Sequence, residues 1–322
     1  MKEIVIGRNE VNQRIDKFLK KYLPKASLSF LYKMLRKKNI KVNNGKVEPQ
    51  YILKAGDSIQ LYFSEDTILN FQEEKKIYDV DMEFHILYED QSILLVNKPA
   101  GLLVHEDAKE SKNTLVNQVI KYLYDKMEYD PTHEKTFVPA SINRIDRNTS
   151  GIVIFGKNYE SVQNLNEMMR QKDAVRKYYR TIVKGSMTKP QELSGFLWKD
   201  EKLNLVKVVE RHRTGAKEIR TRLKPIKSNG SFSLLEVEII TGRSHQIRLH
   251  LSSIGHPIIG DAKYGDPKIN KGFRDKYNLN NQLLHAYRIV FEKAVGTMQY
   301  LQGREFVCPL PEIFHQIEKD LF

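Results

Sequence analysis

Ile15, Phe18, Leu19, Tyr22 and Leu23 are spaced by threes and fours, which places them on one face of a helix. Pro24 predicts its end. Ser27 or Ser29 predicts the cap of a second helix, with Phe30, Leu31, Met34 and Leu35 as its buried stripe. Ile40-Lys41-Val42-Asn43 alternates as a strand does, and Asn44-Gly45 is a hairpin signal. Ala55-Gly56-Asp57 predicts a turn ahead of a strand at 59–63. From about residue 80 short β-rich runs dominate, at 93–96, 151–155, 179–183 and 234–240. Val162, Leu165 and Met169 stripe one intervening helix. Ile247, His250, Leu251 and Ile254 stripe another, with Gly255 just past its end and Pro257 beyond. The expected class is α+β with a mixed, mainly antiparallel sheet. Its expected division is a domain at 1–64, a linker at 65–79 broken by acids, and a larger domain at 80–322.

Charge sharpens this division. The 322 residues carry a formal net charge of +13. Residues 12–63 hold twelve Lys/Arg against three acids, so a sixth of the chain supplies most of the excess. Such asymmetry points to a module for a polyanion. Lys33, Arg36 and Lys37 share a helix face, and the cluster continues through Lys38, Lys41 and Lys46, so phosphate contact is preferred over a merely solvated face. A second basic stretch at 199–224 offers Arg211, Arg213 and Lys217 as further phosphate contacts. Charge does not separate RNA from DNA or anionic lipid. No apolar run approaches the roughly 18 residues of a membrane span, and the first eight residues are too polar for a signal peptide. Cys308 is the single cysteine, which excludes an internal disulfide and a cysteine zinc site. The cytoplasm, no membrane partner and a monomeric state are expected.

Four polar segments carry the candidate chemistry: Asn97-Lys98-Pro99-Ala100-Gly101, Arg144-Ile145-Asp146-Arg147-Asn148-Thr149-Ser150-Gly151, Lys177-Tyr178-Tyr179, and Thr241-Gly242-Arg243-Ser244-His245-Gln246-Ile247-Arg248. Read alone, the Asp146 segment is a polar turn before a strand. The last segment and the two residues after it concentrate two arginines, two histidines and a glutamine, which are costly to bury without partners. They either line a wet groove or pair with acids. No G-x-G-x-x-G or P-loop is present, so no cofactor is expected. His245 and His250 lack further ligands at metal spacing, so no metal is expected either.

In this order the four segments resemble the RluA-type pseudouridine synthases, and residues 12–63 resemble the S4 RNA-binding domain that precedes them in that family. Residues 13–19 and Leu35-Arg36-Lys37 look closest to the C-type branch, which acts on 23S ribosomal RNA. The resemblance implies a mainly antiparallel mixed-sheet catalytic domain after a small α/β S4 domain. It implies an RNA partner, 23S ribosomal RNA or its large-subunit precursor. The reaction breaks a uridine N1–C1′ bond, turns the base and forms a C5–C1′ bond. Asp146 would attack as a nucleophile or remove a ribose proton, and both routes stay open. Arg248 would pair with Asp146, Tyr179 would stack on the base, and Arg144 would fill the space left by the flipped uridine. Thr149, Ser150, Arg243 and His245 would support them. The family's usual His before the Arg-hydrophobic-Asp triplet is Asn143 here, so its contact is expected to differ. The competing readings are a non-catalytic ribosome assembly factor, a synthase acting on tRNA, and a hydrolase using Asp146.

Overall fold

A computed structural model describes residues 1–73, 76–200, 205–209 and 213–322. The N-terminal stretch runs β1 (Lys2–Val5), α1 (Ile15–Tyr22), α2 (Leu28–Arg36), β2 (Ile40–Val42), β3 (Ser58–Leu61) and α3 (Glu65–Phe71). Its strands lie in the order β1-β3-β2, both pairs antiparallel. The two helical stripes form its core, with Ile15, Phe18, Leu19, Leu31 and Leu35 buried. Ser27, not Ser29, caps α2, accepting from the Phe30 N–H at 3.2 Å. The tight turn sits one residue earlier than expected. Asn43 and Asn44 both take positive φ (49° and 63°), and Val42 bridges Gly45. Asparagine tolerates the left-handed region, so the pair does what glycine usually does.

The stretch expected as linker contains α3. Glu65 and Asp66, which read as a break in the basic run, occupy its first turn, where the helix dipole favours acids. Ile68 is buried, and the Phe71 ring centroid lies 4.9 Å from that of Phe30.

The chain forms two compact units. One comprises Met1–Met82, Val116–Ala140 and Gly156–Gln163; the other comprises Glu83–Leu115, Ser141–Phe155 and Asn164–Phe322. Within the first, Asn9 donates to Glu134 at 2.8 Å and accepts from the Tyr159 N–H at 3.1 Å, which ties distant segments to the N-terminal stretch.

Beyond α3 come β4 (His85–Glu89), β5 (Ile93–Lys98), α4 (Leu115–Asp125), β6 (Ala140–Ser141), β7 (Ser150–Gly156), α5 (Tyr159–Arg170) and β8 (Val175–Lys184). They are followed by β9 (Gln191–Asp200), β10 (Leu205–Val209), β11 (Lys217–Ser228), β12 (Phe232–Ile239), α6 (Gln246–Ser253) and α7 (Pro267–Tyr277). Last are β13 (Leu284–Phe291), a 3-10 turn (Gly296–Leu301), β14 (Glu305–Val307) and α8 (Glu312–Leu321). Among the described residues eleven strands share one sheet, with the main order β10-β9-β11-β12-β8-β13-β7-β5-β4. The run from β10 to β13 is antiparallel, and β13 pairs with β7 in parallel. The sheet is therefore mixed and mainly antiparallel, as expected. In α5 the buried hydrophobic positions are Leu165 and Met168, with Met169 only half-buried, so the stripe turns one residue from the expected one.

Side chains alternate across β8, β11 and β12. Tyr179 and Thr221 face the side covered by α6. Arg176, Glu238 and Arg222 face the other, where Arg176 pairs with Glu238 at 2.7 Å and Arg222 with Glu192 at 2.9 Å. Arg220 also pairs with Glu192. Two cations of the 199–224 stretch are thus spent on cross-strand acids. Lys217 is exposed, and the Arg213 guanidinium lies 5.3 Å from the Trp198 ring centroid. Arg211 lies outside the described residues.

Two buried histidines set an acid limit on this fold. His250 donates to or accepts from Thr221 through Nδ1 at 2.9 Å, and His285 pairs likewise with Ser150 at 2.7 Å. Burial pushes both imidazoles down to about 4. An unfolded histidine titrates near 6.5. Between these values the unfolded chain binds protons that the folded chain refuses, so stability is full above about pH 6.5 and falls towards pH 4. The slope approaches about 1.4 kcal/mol per pH unit for each histidine. Urea midpoints measured from pH 7.5 to 4.5 should be flat at first and then drop; a midpoint unchanged at pH 5 would contradict the burial of these two groups.

Candidate active site

The site is built on α6, a helix whose one-sided stripe understates its burial. Gln246, Ile247, Arg248, Leu249, His250 and Leu251 are all buried. The polar members are tolerated because each has a partner, His250 through Nδ1 alone. The Gln246 amide accepts from the Thr241 hydroxyl (2.8 Å) and the Arg243 N–H (3.2 Å). It donates to the Arg220 carbonyl (3.0 Å) and to Thr221 Oγ1 (3.1 Å), so its hydrogen-bonding capacity is used.

Arg248 takes the second course open to that cluster: it pairs with acids. Nε and Nη2 donate to Asp261 Oδ2 and Oδ1 at 2.7 and 2.8 Å, and Nη1 donates to Asp146 Oδ2 at 3.0 Å. Burial works against the Arg248 charge, but its bonds to Asp261 and Asp146 more than offset this and hold its pKa above the ordinary range. Asp261 is buried too, which alone would raise its pKa. Arg248 and the Tyr264 and Lys263 N–H groups outweigh that and keep it ionised.

The loop that carries Asp146 is pinned from three sides. Asn143 accepts from the Ile154 N–H at 2.8 Å and donates to the Ile152 carbonyl at 3.2 Å, so it braces the loop against β7. That is the contact made where the family usually has histidine. Lys98, fully buried, donates to the carbonyls of Pro99 (2.7 Å), Leu102 (2.7 Å) and Arg147 (2.9 Å). Burial lowers its pKa to about 7, against the pull of Asp146. The Pro-Ala-Gly turn is tied to the same loop: the Gly101 N–H donates to the Arg147 carbonyl and the Gly101 carbonyl accepts from Arg147 Nε, both at 2.9 Å. On the third side the chain enters β7 through Gly151, at φ +114°. A Cβ there would lie 2.2 Å from the Ala286 carbonyl oxygen, which is why the motif ends in glycine.

Asp146, its side chain 23% exposed, opens into a cavity of about 570 Å³ with Tyr179, Arg243, His245, Arg248 and Lys177 in its walls. Oδ2 is taken by Arg248, whereas Oδ1 accepts no hydrogen bond among the described residues. Burial, and then the Asp146 charge, raise the Tyr179 pKa, so the phenol stays neutral. His245 Nε2 stands 3.9 Å from Asp146 Oδ2, and its Nδ1 pairs with the Tyr264 hydroxyl at 2.9 Å. Arg144 is exposed at the cavity wall and has no ion pair among the described residues. Thr149 is buried and accepts from Gln282 at 3.1 Å. Ser150 is not brought to the cavity; it turns to His285. Asp261 and Tyr264 belong to this assembly and were not singled out from the sequence, and Lys98 was quoted within its segment but given no role. The signal for Asp261 was indirect: a buried arginine that needed a second acid. Lys98 had a sharper one, a lone cation ending the apolar run 93–96.

Comparison with known proteins places this arrangement. The family model described as RNA pseudouridylate synthase matches residues 92–253, half of the chain, and contains the Asp146, Tyr179 and Arg248 positions. The chain belongs to the RNA pseudouridine synthases. An S4 domain model matches residues 13–59 of this synthase. It is 31% identical to an uncharacterized RNA pseudouridine synthase of Mycoplasma capricolum over 95% of this chain and 97% of that one. It is 30% identical to the ribosomal large subunit pseudouridine synthase C of Buchnera aphidicola over 98% and 96%, and 31% identical to that of Haemophilus influenzae over 91% and 87%. In fold it is similar to human RNA pseudouridylate synthase domain containing 4, with a TM-score of 0.55 at 24% identity, covering 73% of this chain and 92% of that one. As a synthase of this family, the chain is an isomerase whose substrate is RNA. No helix among the described residues is long and apolar enough to cross a membrane.

Proposed function

We propose that this synthase isomerises specific uridines of large-subunit, 23S ribosomal RNA in the cytoplasm, as a monomer, with Asp146 as the group that acts on the ribose. The observation that carries the reading is the division of labour at one carboxylate. Oδ2 is held by a buried Arg248–Asp261 pair, Oδ1 accepts no hydrogen bond among the described residues, and the side chain lines the cavity together with Tyr179. Oδ1 attacks C1′ or removes the C2′ proton; both routes need the ribose against the same oxygen. The N1–C1′ bond breaks, uracil turns and C5 bonds C1′, displacing Oδ1 on the first route or with return of the proton from Asp146 to C2′ on the second; the C5 proton leaves and N1 takes a proton, so no redox equivalent is consumed. Tyr179 supports the uracil face. Arg144, exposed and with no ion pair among the described residues, takes the place of the flipped base, whose removal from its stack costs a few kcal/mol. Thr149 and Arg243 line the same cavity and support the site.

The 23S assignment follows the names of the synthase C relatives. Purified protein given 23S and tRNA transcripts should form pseudouridine in the 23S RNA alone; conversion confined to tRNA would move the target.

Residues 1–64 supply the grip and residues 80–322 the chemistry, joined through 65–79. Lys33, Arg36, Lys37 and Lys38 are exposed, and Lys33, Arg36 and Lys46 line a groove of about 370 Å³. Lys41 packs over Tyr62, 5.0 Å from its centroid. Changing Lys33, Arg36 and Lys37 together to Gln should lower RNA affinity and reduce the slope of log affinity against log salt by about 2 to 3. The triple change Arg211, Arg213 and Lys217 to Gln tests the second stretch in the same way, and an unchanged slope would remove that stretch from the RNA path.

A further inference from the structure

His245 holds a backbone conformation that its position does not require. It is the N-cap of α6, yet its φ and ψ are 57° and 16°, in the left-handed region, where an N-cap is usually extended. Its side chain makes no cap hydrogen bond. Left-handed backbone at a residue with a side chain costs about 1 kcal/mol or more and collects at functional sites. Here the strain throws the imidazole off the helix and into the cavity. Tyr264 then fixes its rotation through Nδ1 at 2.9 Å, with the rings edge-on at 69°. Tyr264 is itself anchored by its N–H on Asp261, at 3.0 Å. One loop thus sets both neighbours of Asp146, the arginine and the histidine.

The remaining nitrogen, Nε2, is 3.9 Å from Asp146 Oδ2. That is too long for a hydrogen bond and wide enough for a substrate oxygen to bridge. On the reading of Asp146 as the group that acts at C1′ or C2′, the ribose hydroxyl brought beside that carboxylate is O2′, bonded to C2′ and one carbon away from C1′. We propose that His245 Nε2 binds the 2′-hydroxyl of the target nucleotide, so that this side chain makes the site selective for a ribonucleotide. A hydroxyl both donates and accepts, so it pairs with either imidazole tautomer. The 2′-hydroxyl is also the group by which a site tells RNA from DNA.

The test uses an RNA stem-loop containing the mapped target uridine and the same stem-loop with 2′-deoxyuridine at that one position. The variants are His245→Asn and His245→Gln. Asn tolerates left-handed backbone and reaches as far as Nδ1, so it keeps the Tyr264 bond and loses the Nε2 group. Gln places an amide near Nε2. The quantity read is the ribo-to-deoxy ratio in kcat/KM, or in Kd should the deoxy substrate not turn over. Comparing that ratio between proteins cancels the effect of the deoxy sugar on RNA shape. His245→Asn should reduce the wild-type ratio about tenfold, the worth of one hydrogen bond, by slowing only the ribo substrate, and His245→Gln should restore most of it. An unchanged ratio, or an equal slowing of both substrates, would overturn the proposal and leave His245 as a group that merely positions Asp146. Failure of the wild type on the ribo stem-loop would instead reject the functional reading itself.

Discussion

Asp146→Asn should bind RNA like the parent protein and convert none of it, a loss of roughly 10⁴-fold or more. Asparagine keeps the shape, and its amide oxygen can still accept from Arg248 Nη1. Arg248 also keeps its two bonds to Asp261, so the helix that carries it is not left with an unpaired buried charge. What disappears is the negative charge at the cavity wall. Release of tritium from RNA labelled at uridine C5 reads the reaction directly, because that hydrogen leaves when C5 bonds C1′. Filter binding reads affinity on the same preparation. This pairing separates an enzyme from an assembly factor that kept the fold, for which the substitution would alter neither measurement. A hydrolase would release free uracil, which chromatography of the products would detect.

Asp261→Ala should be the most destabilising single change near the site. Asp261 is 1% exposed and Arg248 8%, so the substitution leaves a guanidinium buried with Asp146 as its one remaining acid among the described residues. Breaking such a pair by removing one partner costs about 3–5 kcal/mol. The Lys263 and Tyr264 N–H groups lose their acceptor as well. The midpoint of thermal unfolding should fall by on the order of 10 °C. A fall below about 2 °C would mean that Arg248 finds another partner and that Asp261 does not order the site. Asp261→Asn keeps the volume and tests the electrostatic part. It should stay folded and lose activity, because Arg248 can then no longer hold Asp146 Oδ2 in place by a bidentate anchor.

Much of this site was legible before the fold was known, and the parts that were not share a cause. Asp146 and Arg248 lie 102 residues apart, and their motifs brought them into one expectation because each motif is contiguous in sequence. Asp261 belongs to no such pattern. It follows α6 in a turn, and only the geometry of a buried guanidinium asks for it. Periodicity described α1 and α2 well, since each buries one face. The same reasoning undersold α6, whose polar residues point inward and are paid for by hydrogen bonds that a hydropathy pattern cannot register. Charge misled where its setting mattered. Glu65 and Asp66 read as a linker and open a helix, and Arg220 and Arg222, counted in the basic stretch at 199–224, hold Glu192. Asn143, the one departure from the family pattern, proved to be a brace on β7, a role that leaves the Arg248–Asp146 contact in place.

The central claim is that this protein makes pseudouridine in large-subunit ribosomal RNA with Asp146. The most direct measurement is pseudouridine mapping of 23S RNA from cells lacking the gene, complemented with the wild-type protein or with Asp146→Asn. Particular uridines should lose modification in the deletion, regain it with the wild type, and stay unmodified with Asp146→Asn. Full modification restored by Asp146→Asn, or a 23S map that is the same in all three strains, would contradict the account.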